Sequence, residues 1–252
     1  MLLKRGPRSI LARDSFTFPG TGATYLILVG DPGLDTNGHR HNVGDLFNLA
    51  AQQEANDLQA LGNKVVACRI SSIQDFNQEL MNNGFVTGDV IYFGHSGIRG
   101  FVDSSGTVVY ETSELFVGQG IGVNTNITAQ NVNQLCDPTI CNVDNFLSKK
   151  TQTAPGTAIR LNGCMAGTTI LDHYAGYPTS IAQLISNQLN RGVYAYDVGV
   201  YFSQKDANND QHFSGVSVTK NPPDALPMYM VPEGTPGHKP AMKPFCPRGI
   251  CQ

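Results

Sequence analysis

The sequence has few charged residues, no long apolar run and no excess of basic charge. Only 15% of its 252 residues are charged and the formal net charge is −3, so we expect no basic face large enough to make nucleic acid the obvious partner. No stretch approaches the roughly 18 consecutive apolar residues that a membrane span needs. A basic cluster lies within residues 4–13, but the apolar core of a secretory signal does not follow it. A unit cut from a larger precursor would have the same features.

The length and hydrophobic content predict one main domain with appendages. At 252 residues and 40% hydrophobic content the chain can bury a sizeable core. We expect an irregular N-terminal segment at 1–22, a domain over 23–219 and a tail over 220–252. The tail holds eight of the fourteen prolines and has no periodicity, so we expect it to be irregular and to pack on the domain or trail from it.

Predicted strands and helices alternate along the domain. Apolar runs with Gly, Pro or Asn near at least one end predict buried strands at 24–29, 64–70, 90–93, 158–162 and 193–202. Apolar residues at helical spacing predict helices over 47–58, 73–80 and 181–189, and a helical stretch around 128–147. Residues 100–126 predict a β-hairpin around Ser104-Ser105-Gly106. The alternation predicts an α/β fold with a mostly parallel sheet and right-handed crossovers.

Two of the predicted strands are followed by a reactive side chain among small residues. His95 follows one strand through Gly94, and Cys164 follows another through Gly163. In open α/β sheets the functional side chains lie just past the carboxyl ends of the strands, so we expect both side chains at that one edge of the sheet. A nearby imidazole or a helix N-terminus raises the thiolate fraction of a cysteine, which would make Cys164 a nucleophile. The alternative is a packed histidine and a buried, inert thiol.

This arrangement resembles the clan CD cysteine peptidases, which include the caspases, legumain, gingipain and clostripain. A strand that ends in His with Gly close behind is followed by a later strand that ends in a small residue, Cys and a further Gly. The resemblance covers roughly residues 24–202 in strand and helix order and is specific around His95 and Cys164. It implies a caspase-like three-layer sandwich with a mostly parallel central sheet, a small β-hairpin insertion and a Pro-rich tail.

The resemblance also implies a catalytic site. Cys164 would attack the peptide carbonyl to form a thioester acyl-enzyme, and His95 would act as general base and acid. The N–H of Cys164 and the N–H after His95 would form the oxyanion hole. Because Ser96 stands where the family has Gly, that second N–H comes from either Ser96 or Gly97. A second departure is Arg160, which interrupts the strand before the cysteine. We expect a protein or peptide substrate, no cofactor and no metal.

Three further residues are candidates for substrate binding. Asp197 would line a pocket for a basic side chain, as acidic residues do in the clostripain and gingipain branches. Asn162, two residues before Cys164, occupies a position that lines the first pocket in several relatives, and Asp172 would lie on the same side. The alternatives are structural, because an Asp at a strand end is commonly a turn or cap residue and Asn162 would equally hold a loop.

Two other functional classes compete with the peptidase. A serine esterase of the α/β-hydrolase type would use Ser96, but its nucleophile elbow needs Gly two residues later, where Ile98 stands. That motif also needs a following helix, where the sequence predicts a hairpin. The second competitor is a caspase-like domain without catalytic activity that uses its sheet for binding.

The spacing of the cysteines bears on whether the protein works in an oxidising or a reducing compartment. Four of the six form two pairs with the same spacing, Cys136 with Cys141 and Cys246 with Cys251. Local disulfides, a four-cysteine zinc site and free thiols all remain open, and disulfides would indicate an oxidising compartment. The chain also resembles the terminal effector domains of large bacterial Rhs-type toxins. That resemblance implies part of a larger precursor that is secreted or delivered into a target cell.

Overall fold

The structure, a computed structural model, has an α/β architecture. It describes residues 15–30, 43–82, 86–102, 104–117, 126–135, 158–168, 179–197, 201–202, 216–217 and 242–249. The strands are β1 (Ser15–Phe18), β2 (Thr24–Gly30), β3 (Lys64–Ile70), β4 (Val90–Phe93), β5 (His95–Val102), β6 (Val108–Phe116), β7 (Ile159–Asn162), β8 (Val193–Ala195), β9 (Tyr201–Phe202), β10 (Val216–Ser217) and β11 (Lys243–Phe245). The helices are α1 (Val43–Ala60), α2 (Ile73–Asn82) and α3 (Ile181–Leu189). None of them is long and apolar enough to cross a membrane.

Seven strands form the central sheet, in the order β1-β3-β2-β4-β7-β8-β11. The five inner strands run parallel to one another, and β1 and β11 pair antiparallel at the two edges. The predicted α/β fold with a mostly parallel sheet is therefore confirmed. The sequence predicts neither edge strand, since β1 lies in the N-terminal segment and β11 in the proline-rich tail.

Helices cover both faces of this sheet. Phe47, Ala51 and Ala55 of α1 pack with one set of strand residues, whereas α2 and α3 pack with the residues that point to the opposite face. Buried strands of a parallel sheet need apolar cover on both sides. This layering is compatible with a three-layer sandwich.

Capping residues mark the helix boundaries. The Asp75 N–H donates to the Ser72 hydroxyl at 3.0 Å, which is an N-cap for α2. Ser180 caps α3 in the same way, accepting from the Gln183 N–H. After α1 the chain turns at Gly62, which has a φ of +83° that favours glycine.

The predicted hairpin is present, with a different start. β5 and β6 pair antiparallel, and Gly106 takes a φ of +83° in their connection. β5 begins at His95 itself, not after residue 100, so the candidate histidine opens the hairpin.

Two predicted elements are wrong in extent. The strand predicted over 193–202 ends at Ala195, because the Tyr196 carbonyl turns to accept the Gly167 N–H at 2.8 Å. Residues 201–202 instead pair with β10 in a separate sheet. Of the helix predicted around 128–147, residues up to 135 hold only a 3₁₀ turn at Val132–Gln134. Asn131 binds backbone groups of its own loop there, which competes with a helix, and residues 136–147 lie outside the described part.

Candidate active site

The candidate histidine and cysteine follow neighbouring parallel strands. Phe93 at the end of β4 lies opposite Asn162 at the end of β7. His95 and Cys164 each come two residues later, so both leave the same carboxyl edge of the sheet. This placement is the one that the strand pattern predicts.

The segments that lead to the two residues pack directly against each other. A Cβ at Gly163 would lie 2.9 Å from the Ser96 Cβ and 3.0 Å from the Gly94 carbonyl oxygen. A Cβ at Gly94 would in turn overlap the Tyr92 hydroxyl. Glycine is therefore required at both positions, since only a residue without a side chain permits this approach.

Aromatic residues surround the imidazole of His95. The ring of Phe47 from α1 meets it edge-on at 4.8 Å between centroids, and the ring of Phe116 does so at 6.4 Å. Such perpendicular contacts are favourable and restrict the orientation of a ring. The imidazole is half-buried.

The side chain of Tyr92 holds the backbone of His95 in place. The Tyr92 hydroxyl donates to the Phe116 carbonyl at 2.9 Å and to the His95 carbonyl at 3.1 Å. Complete burial raises the pKa of Tyr92 well above its usual value, because the phenolate would lose its hydration. The hydroxyl therefore stays protonated and can donate throughout the neutral range.

Cys164 is not part of a disulfide and lies in a turn that the surrounding structure constrains. Cys164 is 8% exposed. The next residue, Met165, has a φ of +57°, which is uncommon for a residue with a side chain. The Ala166 carbonyl accepts the Ala182 N–H at 3.1 Å. The positive N-terminal end of α3 thus adjoins the turn, and a helix N-terminus favours negative charge nearby.

The Ser96 amide, and not that of Gly97, faces this turn. Leu115 uses its N–H and its C=O to pair with Ile127, at 3.0 and 2.9 Å. Ser96 lies opposite Leu115, so the alternation of an antiparallel ladder directs the Ser96 N–H away from β6 and the Gly97 N–H towards it. The Ser96 nitrogen lies 3.5 Å from where a Cβ at Gly163 would be.

The Ser96 side chain is occupied elsewhere. Its hydroxyl donates to the Glu114 carbonyl at 2.8 Å, and the residue is 2% exposed. A buried hydroxyl that donates to a backbone carbonyl has no base to accept its proton, which disfavours Ser96 as a nucleophile.

Asp197 lies beside the cysteine turn, two residues after the end of β8. The Thr168 hydroxyl donates to its carbonyl oxygen at 2.8 Å. Its carboxylate, 30% exposed, forms an ion pair with Lys243 of β11. The sequence does not indicate Lys243, because the two residues meet only through the pairing of β8 with β11.

The other predicted substrate residues differ in placement. Asn162 ends β7, is buried, and accepts the Gly94 N–H through its carbonyl at 3.4 Å. Asp172 lies outside the described residues. Phe47 was predicted as one residue of a helical stripe, and nothing local to it indicates its contact with His95.

Arg160 is accommodated by an ion-pair cluster. Its guanidinium contacts Glu54 of α1 at 2.8 Å and Asp89 at 3.1 Å. The three side chains are between 24% and 29% exposed. The positive charge of Arg160, which interrupts the apolar strand β7, is thus paired with two carboxylates.

The described cysteines differ in their bonding state. Cys246 is disulfide-bonded, whereas Cys68 and Cys164 are not part of a disulfide; Cys136, Cys141 and Cys251 lie outside the described residues. Within the described ranges, no group of three or more His, Cys, Asp or Glu side chains could hold a metal ion.

No protein-family model matches the chain, and no curated protein matches it.

Proposed function

We propose that this chain is a cysteine endopeptidase in which Cys164 is the nucleophile and His95 the general base and acid. The observation that carries the proposal is the register of β4 and β7, which brings both residues to one edge of the sheet. The direct packing of Gly163 on Ser96 adds to it, because Gly163 has no side chain to hold the two segments apart. The resemblance of the His and Cys motifs to the clan CD peptidases supports the same assignment.

The reaction would proceed in two balanced steps. The Cys164 sulfur, its proton held by His95, attacks the peptide carbonyl carbon and forms a C–S bond. The C–N bond then breaks, and His95 gives its proton to the leaving amine. In the second step His95 takes a proton from water, the hydroxide attacks the thioester, and the C–S bond breaks to give a carboxylic acid and the thiol.

The oxyanion that develops on the substrate carbonyl needs hydrogen-bond donors close to the Cys164 sulfur. We assign this role to the N–H groups of Cys164 and Ser96, because the Ser96 amide faces the cysteine turn while that of Gly97 is directed at β6. A lost oxyanion donor typically reduces kcat by about a hundredfold or more. The small residues on either side allow the substrate backbone to come close.

Asp197 supports a preference for a basic residue before the scissile bond. Its carboxylate already binds an ammonium group, that of Lys243, beside the turn that carries Cys164. A substrate Arg or Lys would replace Lys243 in that contact. We expect Lys243→Gln to raise kcat/KM for peptides cleaved after Arg by about two- to fivefold, since the pair is partly exposed. Asp197→Asn should lower kcat/KM for the same peptides by about tenfold.

The disulfide at Cys246 supports a place of action outside a reducing cytosol. A secreted or delivered effector, as the resemblance to Rhs-type toxins implies, would meet that condition. We propose this compartment together with the peptidase activity.

The decisive experiment combines alkylation with a matched thiol control. A peptide library is digested with wild type, Cys164→Ala and Cys68→Ala. The last variant removes the other thiol in the described part of the chain that is in no disulfide, which is 2% exposed in β3. We expect iodoacetamide to add to Cys164, to abolish hydrolysis and to leave Cys68 unmodified, while Cys68→Ala stays active. Hydrolysis by Cys164→Ala would contradict the proposal. A wild type that neither reacts with iodoacetamide nor hydrolyses any peptide would favour a binding domain, and activity lost only in Ser96→Ala would favour the esterase.

A further inference from the structure

Ser113 is a fully buried serine in β6 that faces the cysteine turn. It is 0% exposed and lies opposite Ile98 in the hairpin that begins at His95. A serine hydroxyl without access to water needs partners within the protein.

Its partners lie on two other elements. The Ser113 hydroxyl donates to the Ala166 carbonyl at 3.1 Å and accepts the Ile181 N–H at 3.0 Å. Ala166 comes two residues after Cys164, and Ile181 is the first residue of α3. One hydroxyl therefore joins the hairpin of the histidine, the turn of the cysteine and the N-terminus of a helix. Hydrogen bonds in such a chain polarise and strengthen one another.

The turn depends on bonds of this kind to keep its shape. Met165 holds a left-handed backbone conformation, which persists for a residue with a Cβ only where the surroundings enforce it. The Gly167 N–H donates to the Tyr196 carbonyl at 2.8 Å, fixing the far side of the turn to β8. The hydrogen bond from Ser113 to Ala166 fixes it to the hairpin.

We propose that Ser113 is a positioning residue that sets the Cys164 sulfur relative to His95, an inference that rests on the proposed peptidase function. Without its hydroxyl, the Ala166 carbonyl loses one donor and the Ile181 N–H loses its acceptor inside the protein. The turn can then relax away from the left-handed conformation and carry Cys164 with it. Substrate binding at other parts of the edge would be little affected.

The test compares two buried serines. We expect Ser113→Ala to lower kcat by about ten- to a hundredfold, as small misplacements of reacting groups do, with KM changed by less than about twofold. The rate of Cys164 alkylation by iodoacetamide should fall with kcat. The control is Ser186→Ala, because Ser186 is equally buried and its hydroxyl contacts the Arg191 and Phe245 carbonyls at 2.6 and 3.1 Å. It should keep kcat within about twofold of wild type.

A second pair of variants separates the hydroxyl from general packing. Ser113→Thr and Ser113→Val have the same size, and only Thr keeps the hydroxyl, so Thr should retain activity that Val loses. This pair also carries the comparison if the Ala variant does not fold. Equal kcat for Ser113→Ala and Ser186→Ala, or for the Thr and Val variants, would overturn the positioning role. A wild type that is neither alkylated at Cys164 nor active would overturn the peptidase proposal instead.

Discussion

Replacing Tyr92 with Phe removes the hydroxyl that holds the backbone of the candidate histidine. The two carbonyl oxygens that it contacts, on His95 and Phe116, would each lose a donor. Since one hydroxyl carries one hydrogen, the loss amounts to about one buried hydrogen bond, or about 1–2 kcal/mol at neutral pH. For a chain of this size each kcal/mol corresponds to a shift in Tm of about 2–4 °C.

The pH dependence of that loss gives a sharper test. Burial holds the pKa of Tyr92 above its usual value, so above pH 10 the unfolded chain releases a proton that the folded chain keeps. The contribution of Tyr92 is therefore complete below about pH 10 and falls as the pH rises further. At pH 11 ionisation stabilises the unfolded chain by about 1.4 kcal/mol for each such tyrosine. Tyr92→Phe has one buried tyrosine fewer than wild type. Tyr196, whose pKa burial raises to about 12, is present in both proteins and cancels in the comparison.

The assay is urea denaturation of wild type and Tyr92→Phe at pH 7, 9 and 11. We expect wild type to be more stable by about 1–2 kcal/mol at pH 7 and 9, and the two to become nearly equal at pH 11. The other titrating groups cancel in the difference between the proteins. A stability difference that stays constant up to pH 11 would refute the reasoning, because Tyr92 would then ionise as readily in the folded chain.

Three further predictions concern residues around the site. Gly94→Ala should be severely destabilising, since its Cβ would overlap a buried hydroxyl, whereas Gly192→Ala, with open space around it, should be tolerated; thermal denaturation compares the two. Arg160→Met should lower the free energy of unfolding by about 1 kcal/mol or less, because its two carboxylate partners are partly exposed; a small loss that vanishes in 1 M NaCl is expected, and a loss above 3 kcal/mol would indicate a buried pair. Phe47→Leu should keep the fold but weaken the restriction of the His95 ring, lowering kcat by several-fold with a Tm change of only a few degrees, about the effect of one aromatic contact.

The inner sheet and its helices could be predicted from the sequence because their signals are local. The apolar run 64–70 begins directly after Gly62-Asn63, and β3 has those same bounds. The edge that carries His95 and Cys164 follows from strand order, since neighbouring parallel strands end together. Both predictions need only periodicity and the direction of the chain.

The features that escaped prediction depend on contacts between distant residues. β11 contains a lysine and a proline and is a strand only because β8 offers an open edge to pair with. The contact of Lys243 with Asp197 and that of Ser113 with Ala166 join residues more than forty positions apart. A lone lysine or serine gives no local sign of such a partner.

The outer strands of the sheet also bear on how copies of the chain meet. An open strand edge is a template for adding another strand, which leads to aggregates. Here both outer strands are short, at four and three residues. Pro244 in β11 also has no N–H that could donate to an added strand. Strand-by-strand polymerisation is therefore disfavoured at β11, which among the described strands is the edge nearest the cysteine turn.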